Sequence, residues 1–270
     1  MRVCKKIMQN KNRYSEEKEN SIVQFYLEGK NQAELGKQFK TSNTAIRRVL
    51  KRNNIPIISS SERWRNIDIN IFDNYDSEEV QYWLGVMCAD GCITGHNVVL
   101  EAIDKEWVEQ FRDFMNPKLK VHTHLPSKGK MLYRFATRCK GIELKLDKYG
   151  ITPRKSLTLE FKFPITWSLL RGIFDGDGSI CRSNKKGCRW SILSGSQILI
   201  NQIHLFLTGQ GFNPTLTETS KNRNATMYYV HLHRYAEIQK LFTLLYPEGN
   251  TFYLNRKYLK FGSLLGKLNR

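Results

Sequence analysis

Apolar residues recur at helical spacing through the first fifty residues. Beyond them the period changes from helix to strand and back, and the whole series then repeats. Ser15 stands as an N-cap before Glu16 and Glu17, and Ile22, Val23, Tyr26 and Leu27 form an apolar stripe closed by Gly29. A short helix is expected from about Asn31 to Phe39, with Ala33, Leu35 and Phe39 inward, then a tight turn at Lys40-Thr41. Ser42 caps a third helix with Ala45, Ile46, Val49 and Leu50 inward and Asn43, Thr44, Arg47, Arg48, Lys51 and Arg52 on the other face. Pro56 and Ser59-Ser60-Ser61 break the pattern. Asp76 and Glu79 fit a capping box for an apolar helix that ends near Asp90. A hairpin around Gly95-His96-Asn97 follows, then a helix opened by Asp104 with Trp107, Val108, Phe111 and Phe114 on one face. A second hairpin turns at residues 126–130, and a short helix from Ile142 to Lys148 ends at Gly150. The series restarts at Thr166: an apolar helix, strands flanking residues 184–187, and a helix from Gln197 to Thr208 with Ile198, Ile203, Leu205 and Phe206 apolar. Strands near 215–219 and 227–233 and a helix from Ala236 to Leu245 complete it.

Each half therefore reads αββαββα, and the fold class expected is α+β, two pseudo-symmetric repeats behind a small all-α N-terminal domain. The boundaries expected are 14–54 for the helical domain, 55–66 for a linker, 67–158 for the first repeat and 159–270 for the second. The last two N-terminal helices resemble a helix-turn-helix, whose second helix lies in the major groove. Arg47 and Arg48 then face guanine edges or phosphates. Arg63 and Arg65 in the linker are placed to follow a phosphate backbone, and Trp64 is placed to pack or to stack.

The two repeats share one stretch in pattern, with the same spacing of apolar residues, small residues and a final Asp-Gly. Tyr82-Trp83-Leu84-Gly85-Val86-Met87-Cys88-Ala89-Asp90-Gly91 corresponds to Leu169-Leu170-Arg171-Gly172-Ile173-Phe174-Asp175-Gly176-Asp177-Gly178. Gly85 and Ala89, like Gly172 and Gly176, put two small residues on one helix face, where a second backbone can come very close. Asp90 and Asp177 fall at the helix C-termini, where the helix dipole disfavours a carboxylate. Cations relieve such an arrangement, and carboxylate with helix-end carbonyl oxygens suits Mg²⁺.

Both stretches resemble the LAGLIDADG motif of homing endonucleases, and the chain is similar to a single-chain, two-motif member. The second motif matches closely; the first has Cys88 where the family often has an acid. The resemblance implies that the motif helices pack together and that Asp90 and Asp177, with the carbonyls of Ala89 and Gly176, hold two or more Mg²⁺ ions beside two scissile phosphates. It further implies that the two sheets form a saddle on the major groove, and that Lys155 and Lys257 reach the active site. The hairpin residues Lys128, Lys130, Lys185, Lys186, Lys221 and Arg223, with Arg134 and Arg138 on one strand face, suit DNA contact. The function implied is site-specific, Mg²⁺-dependent double-strand cleavage of a long asymmetric DNA target, promoting intron or gene mobility. A non-cleaving DNA-binding regulator or an intron RNA maturase of the same fold is the alternative.

Composition agrees with a nucleic-acid partner. The 270 residues carry 43 Lys and Arg against 25 Asp and Glu, a formal charge of +18, and 40% of them are hydrophobic. No apolar run is long enough to span a membrane, and no signal-peptide core follows Met1, so no membrane partner is expected; the resemblance to a single-chain member implies a monomer, without obligate protein partner. It would act in the cytoplasm of a bacterial or phage-infected cell or in an organellar matrix, and not be secreted. The six cysteines lack CxxC spacing and read as reduced thiols. The pairs His122/His124 and His231/His233 lack further ligands for zinc, and residues 175–178 lack the later ligands of a calcium loop. Met1 and the C-terminal Asn269-Arg270 lack the splicing residues of an intein, which points to a free-standing or intron-encoded protein.

Overall fold

The computed structural model describes residues 14–28, 30–57, 67–126, 129–183, 187–220, 226–250 and 252–266. Gly29, Arg63, Trp64, Arg65, Lys128, Lys185, Lys186, Lys221 and Arg223 lie outside the described residues. The chain divides into two compact units, Met1–Trp64 and Arg65–Arg270.

The first unit is a three-helix core of α1 (Glu16–Leu27), α2 (Gln32–Gln38) and α3 (Asn43–Arg52). Ser15 and Ser42 cap α1 and α3, and Asn31 forms a capping box with Glu34 at α2, each satisfying backbone N–H groups that a helix start leaves free. Ile22, Tyr26, Leu35, Ile46, Val49 and Leu50 are buried together. Leu27 and Ala33, expected inward, are exposed, because this small core does not extend to the ends of α1 and α2. A Cβ on Gly36 would lie 2.9 Å from the Thr41 carbonyl oxygen, so glycine permits the close approach of α2 to the turn before α3.

The second unit holds the two repeats. The first runs α4 (Glu78–Ala89), β1 (Cys92–Thr94), β2 (Asn97–Ala102), α5 (Lys105–Met115), β3 (His122–His124), β4 (Leu132–Arg138) and α6 (Lys140–Lys148). After a 3-10 turn at Lys155–Leu157 come α7 (Trp167–Asp177), β5 (Gly178–Ser183), β6 (Gly187–Ser194), α8 (Gln197–Gly209), β7 (Thr215–Thr219), β8 (Met227–Leu232), α9 (Tyr235–Leu245) and α10 (Asn255–Leu264). The strand orders β1-β2-β4-β3 and β5-β6-β8-β7 match, and every pairing is antiparallel. Each sheet turns one face to a common apolar core, through Ile93, Val98, Leu100 and Phe135 in one and Ile180, Trp190, Ile192, Val230 and Leu232 in the other. Strand alternation leaves the opposite face of each sheet outside that core.

Three local expectations are corrected. Ser77 caps α4 through a 3.5 Å bond from the Val80 N–H, so the cap sits one residue beyond Asp76. Asp104 occupies the N-cap position of α5 but makes no cap bond; its carboxylate accepts from the Arg256 guanidinium at 3.0–3.2 Å, and this ion pair with α10 outcompetes the local amide. Ile198 and Leu205 are 49% and 68% exposed, while Leu199, Ile200, Ile203 and Leu207 face inward. Helix α8 is apolar on nearly every side, so its periodicity allowed either face, and packing in the second repeat selected this one. Helix α10 was not anticipated; its N-cap position is held by Leu254, which makes no side-chain cap bond.

Candidate active site

Helices α4 and α7 touch along the small-residue faces read from the sequence. A Cβ on Gly85 would lie 2.1 Å from the Leu169 carbonyl oxygen, and one on Gly172 would lie 2.1 Å from that of Tyr82. The two obstructions are reciprocal, as a pseudo-twofold axis between the helices requires. One turn on, a Cβ on Gly176 would meet the Ala89 Cβ at 2.3 Å and the Asp90 carboxylate oxygen Oδ2 at 3.3 Å. The helices thus meet at the C-terminal ends that carry Asp90 and Asp177; solvent reaches an edge of each acid, while the packed helix ends desolvate the rest of it.

Two like charges at two negative helix ends raise each other's energy. The Asp177 carboxyl is pushed up to about 6, first by burial and then by Asp90. Burial likewise raises Asp90, against the opposing pull of Lys257, Lys155 and Arg256. A carboxyl whose pKa is higher in the fold than in the unfolded chain favours folding only while protonated; that contribution is lost as pH rises through about 6. Removing the charge at neutral pH should therefore stabilise the protein. Solvent reaches Asp177 and screens part of the repulsion, so Asp177→Asn is expected to add about 1 kcal/mol, or about 2–4 °C in Tm, at pH 7.5. No gain is expected at pH 4, and calorimetry at the two pH values checks the difference.

Lys155 and Lys257 insert into these same helix ends. The Lys257 ammonium donates to the carbonyl oxygens of Phe174, Gly176 and Gly178, each at 2.7 Å. The Lys155 ammonium donates to the Gly91 carbonyl at 2.5 Å. Both side chains are buried, which lowers Lys155 and brings Lys257 down to about 8. The cations anticipated at the helix ends are thus in part supplied by the chain itself. The donor set that remains for a metal is two exposed carboxylates, the Ala89 carbonyl and the second lone pair of the Gly176 carbonyl. These hard oxygen donors fit Mg²⁺.

Behind the second acid lies a polar network that the sequence reading missed. Asp175 is fully buried and accepts from the Tyr82 hydroxyl at 2.9 Å, the Tyr246 hydroxyl at 2.8 Å and the Leu254 amide at 2.7 Å. Burial raises its carboxyl to about 6. Trp107 Nε1–H donates to the Tyr82 oxygen at 2.7 Å. Arg171 is also buried, donates to the Leu245 carbonyl at 2.8 Å, and lies 5.4 Å from the centre of the Tyr82 ring. One available signal was the charged pair Arg171 and Asp175, four residues apart inside an otherwise apolar helix. The matching positions in α4 are Leu84 and Cys88; the Cys88 thiol is buried, which pushes it up to about 12.

The outward sheet faces differ between the repeats. In the first, Arg134 pairs with Glu101 at 3.5 Å and stands opposite His122, while Arg138 stands opposite Asn97. Arg134, Arg138 and Lys130 are exposed. In the second, Tyr229, His231 and His233 form a row of adjacent rings, with His231 bonded to the Thr217 hydroxyl at 2.7 Å. Burial, Arg189 and His233 lower His231 to about 4. No cluster of three or more His, Cys, Asp or Glu with metal-binding geometry occurs among the described residues. In the first unit Asn43, Thr44, Arg47, Arg48 and Lys51 are exposed along α3, while Arg52 is bound to Glu19.

Residues 167–245 match the family model of the LAGLIDADG-like domain. The uncharacterized protein MJ0314 of Methanocaldococcus jannaschii is 30% identical over 169 residues, 53% of this chain and 56% of that protein. The aligned segment thus spans little more than half of that relative's length. The fold is similar to that of I-DmoI in complex with DNA and Ca, at 16% identity over 67% of this chain and 95% of that one, with a TM-score of 0.45. It is also similar to the homing endonuclease I-GzeII in complex with its DNA target (10% identity, 68% and 87% covered, TM-score 0.47). The N-terminal LAGLIDADG domain of DUF199/WhiA is a third likeness (16% identity, 68% and 90% covered, TM-score 0.43).

Proposed function

We propose that this protein, whose residues 167–245 are a LAGLIDADG-like domain, is a divalent-metal-dependent endonuclease that cuts both strands of a long, asymmetric DNA site. The observation that carries the proposal is the meeting of Asp90 and Asp177 at two glycine-packed helix ends, with a buried lysine beside each. Two exposed carboxylates that repel each other are unfavourable in the free protein; they suit a site that receives cations together with an anionic substrate. Mg²⁺ is the metal proposed, with Asp90, Asp177 and the carbonyls of Ala89 and Gly176 as its ligands. When bound, it lowers the pKa of an attacking water and stabilises the leaving oxygen. Lys155 and Lys257 hold positive charge within the helix ends, close to where a phosphate would gain negative charge in the transition state. No side-chain nucleophile is needed.

The sheet faces are proposed to read the two half-sites, by Arg134, Arg138 and Lys130 in the first repeat and by Arg189 with hydroxyl and aromatic groups in the second, together with the hairpin residues Lys128, Lys185, Lys186, Lys221 and Arg223. Inexact repeats imply an asymmetric target. Both acids belong to one chain, so the protein is proposed to work as a monomer. Among the described residues no helix is long and apolar enough to cross a membrane. The first unit is proposed to be a helix-turn-helix that extends the footprint through Asn43, Thr44, Arg47, Arg48 and Lys51. Replacing Arg47 and Arg48 together by Ala is expected to weaken binding about tenfold and to reduce the salt slope by about 2. Titrations over a range of salt check this, and the position of the cut should not change.

The second reading is a non-cleaving DNA regulator or an RNA maturase. Its support is the Lys257 ammonium on the Gly176 carbonyl, which occupies part of the donor set. The deciding experiment offers the protein DNA spanning its own gene's locus, joined without the gene, with Mg²⁺ and then with EDTA. A discrete double-strand cut that requires Mg²⁺ supports the endonuclease. Tight binding with no cut moves the function to the second reading, and RNA from the locus is then the next ligand to test.

A further inference from the structure

The two buried lysines are held in different ways. Lys155 follows α6 after a short connection whose turn is closed by local bonds, from the Gly150 amide to Asp147 and from the Ile151 amide to Leu146. Lys257 sits in the first turn of α10, beyond the longer connection 246–254. Helix α10 has no capping side chain of its own at Leu254. The amide of Leu254 instead donates to the Asp175 carboxylate at 2.7 Å, and the Tyr246 hydroxyl, at the other end of the connection, donates to the same carboxylate at 2.8 Å. Asp175 thus ties both ends of the connection to α7, the helix whose C-terminal carbonyls receive the Lys257 ammonium. At the corresponding position of α4 stands Cys88, whose thiol offers no charged acceptor.

We propose that Asp175 is a positioning residue for Lys257, acting through the Leu254 amide, and that the second repeat alone carries this tether. Its consequence for catalysis rests on the endonuclease reading; its consequence for structure does not. The helix start is held by a charge-assisted bond in a dry site, which is stronger than the neutral bonds that close the first repeat's turn. Loss of the carboxylate frees the α10 N-terminus and with it the reach of Lys257, while Lys155 keeps its place. The cut served by the second repeat then slows, and the other does not.

The test compares Asp175→Asn with the unaltered full chain by two readouts. Hydrogen exchange of the segment 252–259 is expected to be at least about tenfold faster in the variant, with 149–157 unchanged. Strand-resolved cleavage of end-labelled DNA is expected to show the strand that Asp177→Asn leaves uncut slowed at least about tenfold, and the other strand and DNA affinity altered by less than about twofold. Supercoiled plasmid should then accumulate as nicked circle. Asp175→Asn combined with Lys257→Met should be no slower than Lys257→Met alone, as expected of residues that act as one unit. Unchanged exchange at 252–259, equal slowing of both strands, or additive losses in the double variant would each overturn the proposal. If Asp175→Asn does not fold, Tyr246→Phe decides by the same readouts, with about threefold effects expected on that segment and strand alone. If the unaltered protein cuts no DNA, the endonuclease reading fails by itself, and the exchange result still decides the tether.

Discussion

Asp177→Asn is expected to bind the proposed DNA target as tightly as the unaltered protein and to cut it about a thousandfold more slowly, the equivalent of about 4 kcal/mol on the barrier. The amide keeps the shape of the carboxylate, so the packing of Gly176 against Ala89 is not disturbed. What would disappear is one of the two charges proposed to draw a divalent cation to the junction of α4 and α7. Asp90→Asn should behave alike, because Asp90 stands at the matching end of the other helix. Filter binding beside plasmid cutting separates the two properties. Cutting at the normal rate by Asp177→Asn would refute the assignment. The same substitution is the one expected to raise Tm at pH 7.5, so lost activity cannot then be ascribed to lost structure.

Gly172→Val is expected to unfold the second unit or to leave it barely stable. The added Cβ would stand 2.1 Å from the Tyr82 carbonyl oxygen, 2.8 Å from the Val86 nitrogen and 3.0 Å from the Gly85 Cα. All three are backbone atoms, so no side chain can rotate away, and the helices must separate. Separation loosens the apolar core along their whole contact, at a cost on the order of 4–5 kcal/mol. That lowers Tm by about 10 °C or more. Any folded fraction should still cut at least about a hundredfold more slowly, because its carboxylates are displaced by an ångström or so. The first unit has its own core and should keep its stability. Gly209→Ala, at a helix position with nothing within 4 Å of the added carbon, is the neutral control. Equal stability of Gly172→Val and Gly209→Ala would mean that the close helix contact is not what holds the repeats together.

The elements legible beforehand were those written in local chemistry. Ser15, Ser42 and Thr166 announce helix starts, because a hydroxyl reaching a free N–H needs only its own neighbours. Turn residues and strand-like runs placed six of the eight strands among the described residues within a few residues, and located the other two as flanking residues 184–187. The paired small residues showed which helix faces meet, since only a missing side chain allows such an approach. Local pattern failed where a partner far along the chain made the choice. Asp104 carries an N-cap signal, yet it binds Arg256 from the opposite repeat. Ile198 and Leu205 are as apolar as Ile200 and Ile203, and only packing in the second repeat ranks them.

By itself, then, the sequence determined the two-repeat architecture, the helix pairing and the position of two acids at paired helix ends, because each follows from spacing along one element. The resemblance implied Lys155 and Lys257 beside those acids, and only the tertiary structure decided which atoms the surrounding groups bond. Lys155 and Lys257 enter the helix ends from segments more than sixty residues away along the chain. Asp175 gathers Tyr82, Tyr246 and Leu254 into one dry site. Such long-range polar contacts leave no periodic trace, since a buried charge asks only for partners in space and not for any spacing in the chain.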